Sequence, residues 1–401
     1  MANLSLPLIF SILPLSLLSL LLFLAPRTPL LRPRSRFLSA SNLTDPLPPP
    51  PRIAYFVAGS KGDGARMLRL LLAIYHPRNQ YLLHLDLRAP QRQREELAAL
   101  VLSVDAFVAA GNVDVVGKAD SVNYGGSTPL ALVLHGAAIL LRRAQDWDWF
   151  VNLDASDYPL IPQDDFLHIL SFVPKEFNFI EHTRSIGWKE YQRVIQIVVD
   201  PGLYLGSKGG MFMGDKRRTL PGAFRFFTGS QHVILSRKLV EFSILGWDNL
   251  PRTLLLFFTN TRFSSKGYFQ TLACNSKEFV NTVINSNLRF IAWDNPPQEE
   301  PRNLRHSDLK KMLRSGAAFA GKFPHNDPVL DRIDSTILHR GQGTVSPGGW
   351  CLGKAGRGRD PCWQWGDANI LRPGPAAKRF EKLLLRLLRK NSTLHTNLCI
   401  Q

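Results

Sequence analysis

The run Ile53-Ala54-Tyr55-Phe56-Val57, followed by the turn Gly59-Ser60-Lys61-Gly62-Asp63-Gly64, decides the fold of this 401-residue chain. A short apolar run that ends in a glycine-rich turn predicts a buried β-strand. Apolar residues then recur at helical spacing from Met67 to Tyr75. The globular part of the chain therefore starts at Arg52, with a strand, a turn and a helix.

Strands and helices alternate along the rest of the first half. The pattern predicts strands at 80–85, 113–116 and 149–153, and helices at 92–103 and 129–143. This alternation is typical of βαβ units and predicts an α/β domain with a parallel, doubly wound sheet. The second half is richer in Gly, Pro and aromatic residues, and no linker precedes it, so we expect an irregular α+β continuation of the same domain. The basic amphipathic segment 376–390 is expected to pack its leucines on that domain.

The residues that end the predicted strands are the first candidates for a site, because ligands of such sheets bind beyond the carboxyl ends of the strands. They are the turn 59–64, Asp86, Asp154 and Asp157. The backbone N–H groups of the turn could hold a phosphate or a nucleotide, and a plain strand-to-helix turn is the equal alternative. For Asp154 and Asp157, binding of substrate hydroxyls or a metal and simple capping of a turn both stay open.

A second pair of carboxylates, Asp146 and Asp148, has a spacing that suits oxygen ligation of Mg²⁺ or Mn²⁺. This pair precedes the strand predicted at 149–153, whereas a metal-binding pair should follow a strand. We interpret it as a solvated helix-to-strand turn.

The composition is strongly basic, with 49 Lys and Arg against 32 Asp and Glu and a net charge of +17. Such an excess indicates an anionic partner without identifying one. The basic residues are dispersed, and zinc-finger, RNA-binding and leucine-zipper patterns are absent from the sequence, so nucleic acid is not expected as a partner.

The first residues predict a membrane anchor. Leu4 to Ala25 carry no charged side chain, and a membrane-spanning helix needs about 20 such residues. Because Pro26 follows Ala25 directly, a cleavage site there is unfavourable, and we expect residues 1–25 to be an uncleaved signal-anchor. Residues 26–51, rich in Pro, Ser and Arg, predict an extended stem.

The orientation of this anchor is predicted from two opposing signals. Several arginines between residues 27 and 36 would keep the following domain in the cytoplasm by the positive-inside rule. N-glycosylation sequons at Asn42 and Asn391 and an even number of cysteines favour the lumen instead. Among the three possible pairings of the four cysteines, we favour a local disulfide between Cys351 and Cys362, which lie in a loop rich in Gly, Pro and Trp.

Several strings of the sequence together resemble the core-2/I-branching enzymes of glycosyltransferase family 14, in particular the plant branch that includes β-glucuronosyltransferases of arabinogalactan proteins. These strings are Tyr81-Leu82-Leu83-His84-Leu85-Asp86, Ser156-Asp157-Tyr158-Pro159-Leu160, Asn178-Phe179-Ile180-Glu181-His182-Thr183, Gly246-Trp247-Asp248-Asn249-Leu250-Pro251-Arg252-Thr253, Trp293-Asp294-Asn295-Pro296-Pro297 and Pro347-Gly348-Gly349-Trp350-Cys351. The resemblance runs from about Arg52 to Lys390.

The resemblance implies a GT-A-type, Rossmann-like glycosyltransferase domain at 52–401, held in the Golgi lumen by a single-pass type II anchor. It implies an inverting reaction that transfers β-glucuronic acid from UDP-GlcA to galactan chains of arabinogalactan proteins. The resemblance also implies that no metal cofactor is required and that basic side chains neutralise the UDP diphosphate, which is physically reasonable. The site residues expected from the turn and from the family strings are Gly59, Asn123, Tyr124 and Lys322 for the donor, and Glu181, Lys189, Arg193 and Trp293 for the acceptor.

One departure from the family pattern concerns the catalytic base. An inverting transfer needs a carboxylate to take the proton of the attacking hydroxyl. The family usually has Glu before Gly-Tyr-Phe, but this chain has Lys266 before Gly267-Tyr268-Phe269. Asp248 and Asp157 are the candidates for a substitute base. A smaller departure from the family pattern is Asp154, at a position where the family more typically has Ser.

Two alternatives follow from these observations. Within the same family, UDP-GlcNAc or UDP-xylose could be the donor. Alternatively, Lys266 could mark a relative that binds glycans with weakened or no catalysis.

Overall fold

The computed structural model describes residues 48–184, 187–204, 210–296, 298, 300–353, 360–392 and 399. These residues belong to the unit formed by Leu47–Gln401. The anchor predicted at 1–25, the stem up to residue 47 and the sequon residue Asn42 lie outside the described residues. Within the described ranges, no helix is both long enough and apolar enough to cross a bilayer.

The strands of the described residues are β1 (Ile53–Gly59), β2 (Gln80–Leu85), β3 (Val113–Val115), β4 (Trp149–Asp154), β5 (Asp157–Pro159), β6 (Asn178–Phe179), β7 (His182–Thr183), β8 (Gln196–Val199), β9 (Phe212–Arg217), β10 (Thr228–Gly229), β11 (Ile234–Ser236), β12 (Val283–Ile284), β13 (Arg289–Phe290) and β14 (Phe319–Gly321). The α-helices are α1 (Gly64–Ile74), α2 (Gln91–Leu102), α3 (Asp105–Ala110), α4 (Thr128–Arg143), α5 (Gln163–Leu170), α6 (Trp188–Ile195), α7 (Arg237–Leu245), α8 (Asn249–Phe258), α9 (Tyr268–Asn275), α10 (Leu309–Ser315), α11 (Pro328–Thr336) and α12 (Pro375–Ser392).

The central sheet has seven strands in the order β12-β6-β11-β4-β1-β2-β3. β1 pairs in parallel with β2 and β4, and β3 extends this parallel group. Gly59 of β1 is paired with Leu85 of β2, and Ala58 of β1 with Asp154 of β4. The carboxyl ends of these three strands therefore lie at the same edge of the sheet. β11 lies antiparallel between β4 and β6. The second half of the chain therefore completes the sheet that the first half begins, as a continuation of the same domain predicts.

The strand β1 is buried on both faces, because its successive side chains point to opposite sides of the sheet. On one side, the Tyr55 ring stacks on Tyr81 with ring centroids 5.4 Å apart. On the other side, Phe56 belongs to the main apolar cluster, together with residues of α4 such as Leu132. Two-sided burial explains why β1 reads as a continuous apolar run, which is typical of parallel sheets.

A three-stranded sheet, β13-β14-β5, lies beside the edge at which β4 ends. Its register places Gly321 of β14 opposite Asp157 of β5. A Cβ atom at position 321 would overlap the Asp157 carboxylate, so this close pairing requires glycine. β5 follows β4 after a short turn, and the two sheets therefore meet where the strand-end acids lie.

The predictions of secondary structure for the first half are confirmed, with differences at the ends of the elements. The predicted strand 80–85 coincides with β2. β1 is longer than predicted and continues two residues beyond its predicted end, to Gly59.

The C-terminal amphipathic segment forms α12, and its Phe380 and Leu384 are buried. Phe380 lies 5.5 Å from Phe166 of α5, between ring centroids. The expected packing of this helix on the domain is confirmed. Asn391 lies in its last turn, and the Asn391 side chain is outside the described residues.

The Asp146–Asp148 segment is a turn between α4 and β4, as predicted. The Asp148 carboxylate accepts a hydrogen bond from the Arg52 backbone N–H at 2.9 Å and pairs with Lys175 at 2.8 Å. Asp146 pairs with the Arg52 guanidinium. Both carboxylates therefore stabilise the start of β1.

Two disulfides connect the four cysteines. Cys351 and Cys362 are bonded, with Cα atoms 4.4 Å apart, in the loop where the sequence predicts a bridge. The second disulfide joins Cys274 of α9 to Cys399. A disulfide typically stabilises a folded protein by about 2–4 kcal/mol, so both contribute to the stability of the second half.

The contact between α4 and β1 generates a testable prediction. Gly136 of α4 lies against the ring of Phe56, and a Cβ at position 136 would approach that ring to 2.5 Å. Gly136→Ala should lower the free energy of unfolding by about 1–2 kcal/mol, because overpacking outweighs the roughly 1 kcal/mol that Ala gains over Gly in a helix. Urea unfolding followed by circular dichroism measures this change.

Gly64→Ala is the matched control, because a Cβ at position 64 of α1 meets no atom within 4 Å. This variant should be as stable as the parent protein or slightly more stable. A Gly136→Ala protein that behaves like Gly64→Ala would contradict the close approach of α4 to β1.

Candidate active site

A cleft opens at the edge where β1, β2 and β4 end. One part of it, the strand-end pocket, is lined by residues at or just after the ends of these strands, including Gly59, Ser60 and Asp86. A second part, the adjoining pocket, is lined mainly by residues of the second half, including His232 and Arg289. The residues that line both pockets are Tyr124, Asp154, Ser156, Gln231 and Lys322. These shared residues make the two pockets one continuous cleft, and we call them the junction.

The glycine-rich turn after β1 is held by bonds within the protein. The Ser60 N–H donates to the Asp63 carboxylate at 2.8 Å, and the Gly62 N–H donates to the Gln93 side chain at 3.0 Å. The Asp63 N–H donates to the Ser60 carbonyl at 3.0 Å. Since these three N–H groups already have acceptors, the structure favours a plain turn over a phosphate cradle. Gly59 lies in the strand-end pocket, and its Cβ would collide with the sulfur of Met67.

The loop before α4 places Tyr124 in the cleft and Asn123 behind it. Asn123 is buried, and its side-chain amide donates to Asp200 at 2.5 Å. The same carboxylate accepts bonds from the backbone N–H groups of Ser127 and Thr128. Asn123 therefore fixes the loop, whereas Tyr124 lines the junction and burial raises the pKa of its hydroxyl.

Asp157 lies in the adjoining pocket, but its carboxylate is engaged. It accepts a hydrogen bond from the Asp154 backbone N–H at 2.6 Å and pairs with the Arg289 guanidinium at 2.6 Å. The side chains of Asp157 and Arg289 are 3% and 2% exposed. Burial raises the pKa of Asp157, and the charge of Arg289 opposes this rise. Asp157, a candidate base from the sequence, therefore holds the junction in place.

Asp154 ends β4 at the junction and bonds to two side chains. Its Oδ2 accepts from His232 Nε2 at 2.9 Å and from the Gln231 amide at 3.2 Å. Burial alone would raise the pKa of Asp154, but the charge and hydrogen bond of His232, with the charge of Arg289, lower it. Asp154 is therefore held as a carboxylate in the middle of the cleft.

Glu181 contributes a third carboxylate, from the segment between β6 and β7. It lines the adjoining pocket and accepts a hydrogen bond from the Asn287 amide at 2.7 Å. Burial raises the pKa of Glu181, although the charge of His232 and the bond from Asn287 act against it. A Cβ at Gly229 of β10 would overlap the Glu181 carbonyl, so glycine at 229 allows this segment to approach.

Trp293 and Lys322 line the cleft, as the resemblance implies. The Trp293 ring is 46% exposed in the adjoining pocket. Lys322 follows β14 directly and lies at the junction, where its Nζ pairs with Glu300 at 2.7 Å. Both side chains of this pair are about half exposed. Sequence reasoning thus predicted a hydrophobic ring and a cation that the fold brings to the same cleft.

Lys266, at the position where the resemblance implies an acid, lines the adjoining pocket. Its Nζ lies 4.8 Å from the centroid of the Phe263 ring. The guanidinium of Arg193, on α6, lies 5.3 Å from the same ring, and Tyr124 meets the ring edge-on. Arg193 is therefore beside the cleft and connected to it through Phe263.

Two other predicted site residues, Lys189 and Asp248, are not shown to line the cleft. Lys189 lies on α6, and its side chain is outside the described residues. Asp248 is exposed and caps the start of α8, where its carboxylate accepts from the Leu250 N–H at 2.9 Å. Asp248 is not among the described residues that line the cleft, so the structure does not bring this candidate base to the junction.

Asp154, Asp157 and His232 have ligand atoms within 4.8 Å of one another, close enough to hold a metal ion. The donor set, however, is already used within the protein. His232 Nε2 is bonded to Asp154, and the cation beside Asp157 is the Arg289 guanidinium. The arrangement fits a hydrogen-bonded ion-pair network better than a metal centre.

His232 and Arg289 are cleft residues that the sequence patterns did not indicate. Arg289 is 132 residues from its partner Asp157, and such a separation leaves no local signal. His232 lies two residues after Ser230, and no pattern in the sequence predicted its place in the cleft.

The fold is an α/β domain with two adjoining pockets at the carboxyl edge of the parallel strands of its sheet. This chain belongs to the core-2/I-branching enzyme family of glycosyltransferases, whose sequence model matches residues 53–313.

The chain is similar to curated members of this group. It is 51% identical to β-glucuronosyltransferase GlcAT14A of Arabidopsis thaliana over 342 residues, which are 85% of this chain and 76% of the relative. It is 50% identical to β-glucuronosyltransferase GlcAT14B of the same plant over 337 residues, 84% of this chain and 78% of the relative. Similarity to xylosyltransferase 1 of Homo sapiens is lower, at 30% over 248 residues, 61% of this chain and 24% of the relative.

The buried pair of Asp157 and Arg289 yields a prediction on stability. Arg289→Gln should lower the free energy of unfolding by about 3–5 kcal/mol, because it leaves a buried carboxylate without its cation. Asp157→Asn combined with Arg289→Gln should recover much of this loss, since the pair is then neutral. Thermal and urea unfolding of the two variants measure the difference.

Lys238→Gln breaks the exposed Lys238–Glu278 pair and serves as control. Its effect should stay below about 1 kcal/mol. Equal losses in Arg289→Gln and in the double variant would contradict the pairing.

Proposed function

We propose that this protein is an inverting glycosyltransferase that transfers β-glucuronic acid from UDP-GlcA to galactan chains of arabinogalactan proteins. The observation that carries this proposal is the 51% identity with a β-glucuronosyltransferase over 342 residues. The 30% identity with a xylosyltransferase covers less of the chain, so a UDP-xylose donor is the weaker alternative. A UDP-GlcNAc donor is weaker as well.

A GT-A-type domain is part of this proposal. The parallel group β3-β2-β1-β4 supports it, because nucleotides bind at the carboxyl edge of such sheets. We assign the UDP moiety to the strand-end pocket and the galactan acceptor to the adjoining pocket. The bond that breaks then lies at the junction between them.

Cations beside the strand-end pocket suit a departing diphosphate. Arg66 lines this pocket, and Lys322 lines both pockets. Basic side chains in these positions can stabilise the charge that develops on UDP as it leaves. The Lys322–Glu300 pair is half exposed and contributes little, so a diphosphate can replace Glu300 as the partner of Lys322.

The adjoining pocket has the features of an acceptor site. The exposed face of Trp293 offers an apolar surface against which a sugar ring can stack. The Glu181 carboxylate lines the same pocket and can accept a hydrogen bond from an acceptor hydroxyl.

We also propose that the protein resides in the Golgi membrane as a single-pass type II protein with its catalytic domain in the lumen. The uncharged stretch from Leu4 to Ala25 and the sequons at Asn42 and Asn391 support this location. The two disulfides support it as well, because disulfides persist in the secretory pathway and are rare in the cytosol.

The donor is testable with the full-length protein in detergent, supplied with β-galacto-oligosaccharides and one nucleotide sugar at a time. We expect transfer from UDP-GlcA and a β-linked product. Transfer from UDP-GlcNAc, UDP-xylose or the control UDP-glucose, whose sugar lacks the carboxylate of glucuronic acid, should be small. Mass spectrometry detects the product, and NMR of its anomeric proton reports the configuration. If none of the donors is transferred while UDP still binds, the glycan-binding alternative replaces the proposed activity.

The lumenal location predicts that the protein carries N-linked glycans when it is expressed in plant cells. Treatment with a glycosidase should lower its mass on a gel, and the combination of Asn42→Gln and Asn391→Gln should abolish this shift. Each single variant serves as the control for the other sequon. Absence of any glycosidase-sensitive mass in the parent protein would count against a lumenal domain.

A further inference from the structure

We propose that Asp154 is the general base of the transfer reaction and that His232 holds its carboxylate in position. This inference rests on the proposed function, because it names the residue that takes the proton from the acceptor hydroxyl. It follows from the geometry of the junction and from two departures in the sequence.

The first observation is the lysine at 266. A protonated amine has no lone pair with which to accept a proton. The resemblance implies an acid at this position, so with Lys266 here the base is expected from another residue that lines the cleft. The resemblance also implies Ser at position 154, where this chain has Asp154. By this comparison an acid is absent at one position of the cleft and present at another.

The second observation is the place of Asp154. The acceptor hydroxyl must reach the anomeric carbon of the donor where the two pockets meet. Among the described residues that line both pockets, Asp154 is the one that carries a carboxylate. A base at this point is within reach of the attacking oxygen, which is the first requirement for proton transfer.

The other carboxylates of the cleft are less suitable. Asp157 is 3% exposed and paired with Arg289. Glu300 is paired with Lys322. Glu181 lines only the adjoining pocket and is bonded to Asn287. Asp86 and Asp63 line only the strand-end pocket, where Asp86 accepts from the Ser60 hydroxyl at 2.9 Å and Asp63 accepts from the Ser60 N–H at 2.8 Å.

Asp154 combines fixed orientation with an open oxygen. Both side-chain hydrogen bonds that it accepts, from His232 and Gln231, go to Oδ2. Its Oδ1 has no hydrogen-bond partner in the part of the chain that the structure describes. The Asp154 side chain is 42% exposed, compared with 17% for His232. One oxygen therefore anchors the carboxylate and the other is open to the cleft.

The surroundings keep this carboxylate ionised. The titratable and charged groups that share the cleft with it are His232, Asp157, Arg289, Tyr124, Glu181, Lys266, Glu300 and Lys322, and in the strand-end pocket Asp63, Arg66 and Asp86. Burial acts to raise the pKa of Asp154, but the charge and hydrogen bond of His232, together with the charge of Arg289, overcome this effect and lower the pKa. Asp154 is thus unprotonated, as a base must be before the reaction.

The step balances as a single displacement. The oxygen of the acceptor hydroxyl forms a bond to the anomeric carbon, and the bond from that carbon to the β-phosphate oxygen breaks. The electron pair of the broken bond leaves with UDP. The proton of the hydroxyl passes to Oδ1 of Asp154.

Asp154→Asn tests the proposal in the full-length protein, because it removes the base and keeps the shape of the side chain. We expect kcat to fall by about 10²–10⁴-fold, with unchanged affinity for UDP by isothermal titration. Asp105→Asn, an exposed aspartate at the start of α3 outside the cleft, is the matched control and should keep the parent kcat. Glu181→Gln should act mainly on the KM for the acceptor.

His232→Gln tests the positioning role. Because His232 lowers the pKa of Asp154, its removal should move the acid limb of the pH profile of kcat to higher pH. A role of His232 in folding alone would change the amount of active enzyme and leave this limb where it is. The double variant Asp154→Ser with Lys266→Glu moves the acid from position 154 to position 266, as the family resemblance implies. A higher kcat than that of Asp154→Ser alone supports the proposal that Asp154 replaces the acid expected at 266, and an equal kcat counts against it.

The possible outcomes separate the two proposals. Transfer from a donor other than UDP-GlcA overturns the proposed donor, and the Asp154 variants are then assayed with that donor. An Asp154→Asn protein that keeps the parent kcat overturns the assignment of the base, as does a loss of kcat confined to Glu181→Gln. A parent protein that binds UDP and transfers no sugar overturns both.

Discussion

The buried carboxylate of Asp157 is the interaction on which the cleft depends. It joins the end of β4, through the Asp154 N–H, to β13, through the Arg289 guanidinium. It also faces Gly321, whose lack of a side chain lets β14 approach and sets the position of the following residue, Lys322. The acid at the junction and the cation beside it are thus placed by one group that is itself shielded from solvent. A carboxylate so enclosed is suited to hold structure, whereas its more exposed neighbour is suited to chemistry.

Much of this architecture can be predicted from sequence, because the signals involved are local. The apolar run of β1 and the alternation that follows indicate a parallel sheet, and the strand-end acids follow from that topology. The family strings predict Glu181, Tyr124, Trp293 and Lys322, all of which line the cleft. What local patterns cannot supply is the partner of each residue. Asn123 lies in a loop that does approach the cleft, yet its amide is bonded to Asp200, 77 residues away.

Family strings also mix functional and structural residues. Asp248 belongs to one of the longest strings, but its carboxylate caps a helix, a role that any Asp or Asn before an apolar helix can fill. The glycine-rich turn after β1 is similar: its composition is compatible with phosphate binding, and only the hydrogen bonds show that the N–H groups of Ser60, Gly62 and Asp63 have acceptors within the protein. The net charge of +17 is equally uninformative about the site. The cleft lining combines the cations Arg66, Lys266, Arg289 and Lys322 with the acids Asp63, Asp86, Asp154, Asp157, Glu181 and Glu300.

The two disulfides have a practical consequence for anyone who wishes to produce this protein. They use all four cysteines, so the folded chain has no free thiol. Expression in a reducing bacterial cytoplasm would leave four thiols and remove both cross-links from the second half, which supplies most of the lining of the adjoining pocket. Periplasmic or secretory expression, and purification without reductants, are therefore the conditions under which the domain can be expected to reach its native fold.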